Sequence, residues 1–293
     1  MYLIKVIACS AMLYAYYRLY LYNKTFHQWN RFYLLFSTLI SLVIPFLQVK
    51  VFPAASSRSP QPVTELLKTA FNNSFHEYEG VSALPNNAVP NGLMIIYAIG
   101  CAIMLTGLLH AIGRLHRLIK RSGFRQLNGF RLVGTNEKDA PFSFFRYIFW
   151  NNTIDLSSEH GQYILQHERI HVQQWHSVDK MLINILMIPF WCNPFFWLIR
   201  RELGAVHEFI ADGKTIPDAD PSLFSAVVLS TAYPSIQFSL TSHFNLSPVK
   251  RRLLMLSQIK QSRNNYCSRL LVLPVLFGLL AAFSFTHRNG KAI

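Results

Sequence analysis

Long apolar runs separated by polar segments dominate the pattern of the chain. A helix needs about 20 mostly apolar residues to cross the hydrocarbon core of a bilayer. Four runs come close to this length, and they cover residues 2–22, 32–52, 92–112 and 270–285. The first resembles a signal peptide, but Lys5 interrupts it and no small-residue cleavage site follows. We therefore predict four transmembrane helices.

A fifth apolar run covers residues 181–199 and is also long enough to span. It contains Pro189 and Pro194, and a proline inside a helix removes a backbone hydrogen bond and clashes with the preceding turn. Asn184 and Asn193 add polar groups that lipid would leave without partners. We expect this run to dip into the membrane and return, to lie at its interface, or to pack inside the protein.

The basic residues predict the orientation of the chain. Of the 28 Lys and Arg residues, 19 lie in 114–269, whereas the loop 53–91 has only Arg58 and Lys68. Loops rich in Lys and Arg stay in the cytoplasm. The chain then divides into an N-terminal membrane region with three helices (1–113), a cytoplasmic α+β insert (114–269), and a fourth membrane helix with a short tail (270–293).

Composition supports a membrane protein. Hydrophobic residues make up 51% of the chain and charged residues 14%, against about 25% charged residues in soluble domains. The net charge of +14 also suits a nucleic-acid-binding protein, but the basic residues cluster beside apolar runs, as in "RLHRLIKR" at 114–121. We expect the lipid bilayer as a partner and no direct contact with nucleic acid. The four cysteines lack C-x-x-C spacing, which indicates buried small side chains.

Candidate chemistry lies in the stretch "LQHERIHVQQWHS" at 165–177. His167, Glu168 and His171 match the H-E-x-x-H pattern of zinc peptidases. On a helix, positions four apart share a face, so both imidazoles can bind one ion. Glu168 is adjacent and can take a proton from a metal-bound water. Chance produces this pattern in about 1 chain in 100 of this composition, so the motif alone is only suggestive.

The third metal ligand has two candidates in the sequence. If the helix continued, His176 would lie about 180° round from His167, and Gln174 stands where a glycine would allow a turn. We therefore predict that His176 faces away. In "HEFIAD" at 207–212, Glu208 and Asp212 again share a helical face.

We predict Glu208 as the third ligand and expect Asp212 to hold a ligand histidine through its other ring nitrogen. The alternative is a solvated helix with ordinary surface acids. The shared ion requires His171 and Glu208 on one side of the membrane, so the run 181–199 cannot cross once. A second oxyanion donor is also expected, and the sequence leaves four candidates: His160, Tyr163, His176 and His243.

With these residues the chain resembles the BlaR/MecR-type membrane zinc metallopeptidases, which act as antirepressors in bacteria. The resemblance rests on "HERIHVQQWHS.D" and "HEFIAD", on "NPFFW" at 193–197, on "PFSFF" at 141–145 and on "SPVKRRLLML" at 247–256. The forms of the motifs found here, with "VQQWHS" and "HEFIAD", are similar to those of a Bacteroidetes-like subgroup of the family. Well-known members carry a sensor domain after the fourth span, whereas only "THRNGKAI" follows it here. We therefore expect any signal to come through the loop 53–91, through the membrane or from a sensor partner protein.

The resemblance implies a gluzincin fold in the insert, with Zn²⁺ on His167, His171 and Glu208 and with Glu168 as the base. It also implies a substrate-binding edge strand, formed by Pro141, Phe142, Ser143 and Phe144. The fold class is then a multi-pass α-helical membrane protein with a cytoplasmic α+β gluzincin-type insert.

The implied function is a zinc metalloendopeptidase of the bacterial cytoplasmic membrane that cleaves a transcriptional repressor or itself. The alternatives are a quality-control protease of the HtpX type and a non-catalytic transducer with a structural metal site.

Overall fold

The computed structural model describes residues 2–22, 24–46, 88–127, 129–215, 246–258 and Gly278. The helices are α1 (Tyr2–Tyr16, continued by a π-helical turn, Tyr17–Leu21), α2 (His27–Val43, continued by a 3-10 turn, Ile44–Phe46), α3 (Ala88–Ser122), α4 (Glu159–Gln173), α5 (His176–Met187), α6 (Pro194–Thr215) and α7 (Leu246–Gln258). The strands are β1 (Arg125–Leu127), β2 (Phe130–Thr135), β3 (Phe142–Phe144) and β4 (Tyr147–Asn151).

The larger core joins the α1–α2 hairpin to α5 and α6. Its fully buried side chains come from both halves of the chain and include Tyr17, Leu34, Ile183, Met187, Phe196 and Ile199. Burying a side chain of this size stabilises the fold by about 1.5–3 kcal/mol. Polar contacts add to the packing, since the Tyr33 hydroxyl donates to the Leu13 carbonyl at 2.7 Å. The N-terminal hairpin is thus part of the structure that carries the candidate site.

Helix α3 lies apart from that core. Among the described residues, one helix is long and apolar enough to cross a membrane, and it is the Gly92–Ser122 part of α3. None of its most apolar window is buried, and Leu93, Met94 and Ile103 are each at least 63% exposed. Exposure of this kind suits a lipid-facing helix. The helix runs past the predicted limit of 112 because "RLHRLIKR" also favours helix.

The other predicted spans are described only in part. The run 2–22 lies in α1 and its π-helical turn. Helix α2 begins at His27, earlier than the predicted 32, and residues 47–52 lie outside the described part. The run 270–285 also lies outside it except for Gly278. Four transmembrane helices and a cytoplasmic insert therefore stay predictions.

The apolar run 181–199 forms two helices and not one. Helix α5 ends at Met187 and α6 begins at Pro194, so the break falls where the prolines and Asn193 lie. The Asn193 side chain accepts the Phe195 N–H at 3.0 Å and donates to the Ser10 hydroxyl at 3.0 Å. These bonds supply partners for polar groups at the end of a helix, where the helix itself leaves backbone N–H groups unbonded.

The turn between α5 and α6 rests against α3. The Tyr97 hydroxyl donates to the Pro189 carbonyl at 2.5 Å. A Cβ atom at Gly100 would collide with the Trp191 ring, so the missing side chain allows the close approach. The chain therefore turns back after α5, and α6 returns to the side from which α5 came.

A four-stranded sheet in the order β1-β2-β4-β3 precedes α4. Strands β2 and β4 are parallel, and the outer strands pair antiparallel to them. A second core fills the space between sheet and helix, with Phe130, Ile148, Trp150, Ile164 and Val172 buried. The substrate strand predicted from the resemblance corresponds to β3, which lies at an edge of the sheet, and Pro141 directly precedes it.

Two leucines on α6 test the packing of the larger core. Leu203 is 1% exposed and belongs to it, whereas Leu198 is 37% exposed on the same helix. Leu203→Ala should lower the free energy of unfolding by about 2–5 kcal/mol, because it leaves a cavity among the α1, α2 and α6 side chains. Leu198→Ala should change it far less. Thermal unfolding in detergent micelles measures both, and equal losses would contradict this packing.

Candidate metal centre

Helix α4 brings the two histidines of the H-E-x-x-H stretch together. Ser158 caps its first turn by accepting the Gly161 N–H at 3.0 Å. One turn separates His167 and His171, and their Nε2 atoms lie 3.2 Å apart. Both imidazoles therefore present the same nitrogen to one point beside the helix.

Glu208 of α6 reaches the same point from the other side. Its carboxylate oxygens lie 3.4 Å from Nε2 of His167 and 3.5 Å from Nε2 of His171. The potential ligand atoms of the three residues all lie within 4.8 Å of one another. Two imidazole nitrogens and one carboxylate form a donor set that suits zinc and leaves a fourth position for water. The structure thus brings the three predicted ligands together in a group that could hold a metal ion.

Asp212 lies behind His167. Its Oδ1 atom is 3.2 Å from Nδ1 of His167, the ring nitrogen that does not face Glu208. The carboxylate is completely buried, and a buried carboxylate needs a compensating charge or donors. Arg252 of α7 supplies both, with two hydrogen bonds to Asp212 at 2.6 and 2.7 Å. The same guanidinium lies 3.4 Å from Glu208.

Sequence reasoning did not identify Arg252 as part of the site. "KRR" at 250–252 is one of several basic clusters in 114–269, and the sequence alone does not distinguish it from the others. The stretch that contains it does appear in the motif "SPVKRRLLML", and a buried Asp212 requires a cation, but no spacing rule connects the two. A separation of 40 positions hides this pair from a local pattern.

The prediction that His176 faces away from the site is wrong. Helix α4 ends at Gln173, and Trp175 adopts a left-handed conformation with φ 56° and ψ 33°, so the chain turns and a new helix begins at His176. The Nδ1 atoms of His171 and His176 lie 2.7 Å apart. The turn that glycine was expected to provide is made by a tryptophan. His176 is therefore behind His171 and outside the group of three potential ligands.

Three further buried side chains, His207, Asp179 and Arg31, lie behind His176 and contact one another in turn. The His207 ring stacks on the His176 ring with centroids 4.1 Å apart and an angle of 14° between the planes. The Nε2 atom of His207 is 2.8 Å from Asp179 of α5. Arg31 of α2 in turn donates to Asp179 at 2.6 Å. Sequence reasoning gave none of these three a role: Asp179 and His207 lie in the motifs "HERIHVQQWHS.D" and "HEFIAD", but only Arg31 looks like an isolated polar residue.

The remaining predicted residues lie on known elements or outside the described part. His160 and Tyr163 are on α4, and His243 lies outside the described residues. The choice of a second oxyanion donor thus stays open. Ser143 of β3 makes a side-chain hydrogen bond to Glu168, which places the edge strand beside this glutamate.

The charges of the site favour a proton where a metal would bind. Burial opposes a charge on His167, but hydrogen bonds to Asp212 and Glu208 outweigh it and raise the pKa of His167 to about 10. Burial also disfavours a charge on Glu208, yet the adjacent His167 and His171 hold the pKa of this carboxyl below its usual range. Burial lowers the pKa of His171 to about 3. In the metal-free protein, His167 thus carries a proton between two carboxylates.

The pKa of Glu168 is shifted in the direction opposite to that of Glu208. Burial raises the pKa of Glu168, and this effect exceeds those of the neighbouring His167 charge and the Ser143 hydrogen bond. A carboxyl whose pKa is raised towards neutrality is better suited to accept and return a proton than an exposed glutamate.

Comparison with known proteins identifies the same part of the chain. Residues 147–256 match the family model described as BlaR1 peptidase M56. The matched range contains the H-E-x-x-H stretch, Glu208, Asp212 and Arg252. No curated protein was found to match the sequence. The match confirms the predicted resemblance to the BlaR/MecR-type family, whereas the subgroup and the lack of a sensor domain stay predictions.

The protonation of His167 predicts proton release on metal binding. At about pH 7.5 a pKa of about 10 keeps His167 charged in the metal-free protein, and a metal ligand must lose that proton. Titration calorimetry with Zn²⁺ in buffers of different ionisation enthalpy should report about one proton released per ion. Asp212→Asn removes one of the groups that raise the pKa of His167 and should reduce the release.

The same proton affects the stability of the metal-free protein. Because the folded pKa is raised above an unfolded value of about 6.5, the protonated pair stabilises the fold fully below that pH, and this contribution is lost as the pH rises through about 10. In the zinc titration, a binding enthalpy that is the same in every buffer would mean that no proton is released. That result would contradict the assignment of the proton to His167.

Proposed function

We propose that this chain, a member of the BlaR1/MecR-type peptidase family by its residues 147–256, is a zinc-dependent endopeptidase that hydrolyses peptide bonds in protein substrates. The observation that carries the proposal is the convergence of His167, His171 and Glu208 on one point. Glu168 adjoins that point on α4, and the edge strand β3 lies beside Glu168.

The three side chains fit a zinc ion by their chemistry and their support. His167 and His171 would bind it through Nε2, and Glu208 through its carboxylate. Each imidazole has its other nitrogen within hydrogen-bonding distance of a partner, which fixes the ring orientation that a ligand requires. Bound there, zinc supplies a Lewis acid and lowers the pKa of a water molecule.

Glu168 acts as the base in this proposal. Its carboxylate takes a proton from the attacking water and later gives it to the leaving amine. Burial raises the pKa of Glu168 above its usual value, which makes its carboxylate a stronger base than an exposed glutamate. The Ser143 hydroxyl hydrogen bonds to this carboxylate and orients it.

Strand β3 binds the substrate as an added strand. One side of β3 pairs with β4, and its other side is an edge of the four-stranded sheet. The backbone groups of an edge strand can pair with an extended peptide, and alternate side chains then select its residues. Phe142 stacks on Phe149 at 4.6 Å, which fixes the strand at the end next to Pro141.

The setting proposed for the enzyme is the bacterial cytoplasmic membrane, with the site on the cytoplasmic side. Support comes from the apolar and exposed helix α3 and from the basic residues at its end, which directly precede β1. The substrate is a cytoplasmic repressor or the chain itself.

Two other functions are compatible with the same fold. A quality-control protease of the HtpX type would share the metal centre and differ in acting on many unfolded clients. A non-catalytic transducer would keep the metal for structure only. A structural site needs no base, and the position of Glu168 next to the metal ligands favours an enzyme.

A matched pair of substitutions on α4 tests the proposal in cells. Glu168→Gln should keep zinc and lower cleavage by about 10²–10⁴-fold, because a neutral amide cannot accept the proton. Glu159→Gln removes an exposed acid from the first turn of the same helix and should leave cleavage unchanged. The measurement compares protein fragments in the membrane and cytosolic proteomes of cells carrying the wild type and each variant.

The fragment pattern distinguishes the three functions. One fragment of a repressor, or of the chain itself, that depends on Glu168 supports the proposed role. Many fragments that depend on Glu168 favour quality control. Identical fragment patterns in all three strains, with zinc bound, would refute the enzyme and favour the transducer.

A further inference from the structure

We infer that Arg31 on α2 is a positioning residue for the metal centre, and that the N-terminal hairpin fixes the orientation of His171 through Arg31. The inference deepens the proposed function, since it rests on His171 as a metal ligand. It concerns a side chain that lies in a different part of the chain from the H-E-x-x-H stretch and touches none of the three ligands directly.

Arg31 holds the turn that brings His176 back. Its guanidinium donates from Nη2 to the Gln174 carbonyl at 2.7 Å and from Nε to Asp179 at 2.6 Å. Gln174 precedes the left-handed Trp175, and Asp179 lies in the first turn of α5 after it. Gln28, one turn earlier on α2, adds a hydrogen bond to the Gln174 side chain at 3.0 Å. The first two turns of α2 thus bind both sides of the turn at Trp175.

From Asp179 the contacts lead to the back of His171. The Asp179 carboxylate lies 2.8 Å from Nε2 of His207, and the His207 ring stacks on His176. His176 then contacts His171 through the two Nδ1 atoms. A continuous series of side chains therefore connects α2 with a potential metal ligand.

The tautomers explain why the series matters for metal binding. For Nε2 of His171 to offer a lone pair, its proton must be on Nδ1, where it is donated to Nδ1 of His176. His176 must then be an acceptor at that atom and keep a fixed plane. Stacking on His207 sets the plane, and the bond from His207 to Asp179 sets the position of the stacked ring.

The energetic cost of burying these polar side chains supports a positioning role for Arg31. His176 is 1% exposed, His207 0%, Asp179 6% and Arg31 7%. A buried ion pair is often no more stabilising than apolar side chains of the same size, so stability alone gives little reason for it. Removing one partner leaves the other charge buried and unpaired, which would shift Asp179 and with it His207. A movement of α2 would reach His171 by the same contacts.

The test uses the full chain in lipid nanodiscs with Arg31→Gln and the milder Arg31→Lys. Three properties are measured: the zinc dissociation constant by competition with a chelator, the visible spectrum of the cobalt-loaded protein, and the Tm of the metal-free protein. Loss of an outer hydrogen-bonding partner weakens metal binding by about 10- to 100-fold. We expect a loss of this size for Arg31→Gln, a smaller loss for Arg31→Lys, and an altered cobalt spectrum for both.

Arg251→Gln is the matched control. Arg251 forms a partly buried pair with Glu202 at 2.7 Å and also donates to the Tyr22 carbonyl, so it connects α7 to the N-terminal hairpin. It is not part of the series that ends at His171. The control should lower the Tm and leave zinc affinity and the cobalt spectrum unchanged. An equal loss of affinity in Arg251→Gln would show that any weakening of the hairpin has this effect, and would overturn the inference.

A double variant tests whether Arg31 acts on His171 through His176. His176→Phe keeps a ring that can stack on His207 but removes the nitrogen that contacts His171. In that background, Arg31→Lys should cause no further loss of zinc affinity, because coupled residues do not act additively. Additive losses, or a folded Arg31→Lys or Arg31→Gln protein with wild-type affinity and spectrum, would overturn the inference.

Failure of the proposed function gives a different result. A wild-type protein that binds no zinc would refute the metal centre itself. A wild-type protein that binds zinc, with variants at Arg31 that bind it equally well, would refute only the role of Arg31.

Discussion

The candidate site depends on the return of the chain between α5 and α6. His171 and Glu208 are separated by an apolar run of membrane-spanning length, yet their side chains approach to 3.5 Å. A single straight helix through 181–199 would have carried Glu208 away from the histidines. The break between Met187 and Pro194, the Asn193 hydrogen bonds and the close contact of Gly100 with Trp191 make the return possible. Without it, Glu208 would not join His167 and His171 in one group of potential metal ligands.

The second feature of the site is the set of side chains that hold the two histidines from the side away from the potential metal position. His167 is held by Asp212, which Arg252 neutralises, and His171 is held by His176, behind which lie His207, Asp179 and Arg31. These supporting side chains come from α2, α5, α6 and α7. Such partners orient metal ligands and raise their basicity. The N-terminal α1–α2 hairpin and the segment that matches the family model therefore share one core and one hydrogen-bonded network, although they are far apart in the sequence.

The sequence predicted the site residues that are related by the local periodicity of a helix. Residues four apart on a helix share a face, so His167 with His171 and Glu208 with Asp212 could be placed in pairs. The prolines at 189 and 194 predicted the broken run. The turn at Trp175 could not be predicted, because a left-handed tryptophan is rare and only tertiary contacts favour it. Arg31 and Arg252 were missed because a basic residue near an apolar run usually lies at a membrane interface, and their partners are distant in sequence.

The ligand role of Glu208 is the central claim, and X-ray absorption spectroscopy of a Glu208→Cys variant tests it most directly. Zinc bound to the wild type should show nitrogen and oxygen neighbours without sulfur, because none of the three cysteines in the described part of the chain, Cys9, Cys101 and Cys192, belongs to the group of potential ligands. The variant should gain one sulfur neighbour at about 2.3 Å while the histidine signals persist. Zinc that stays bound to the variant with an unchanged spectrum would contradict the account, since the third ligand would then lie elsewhere.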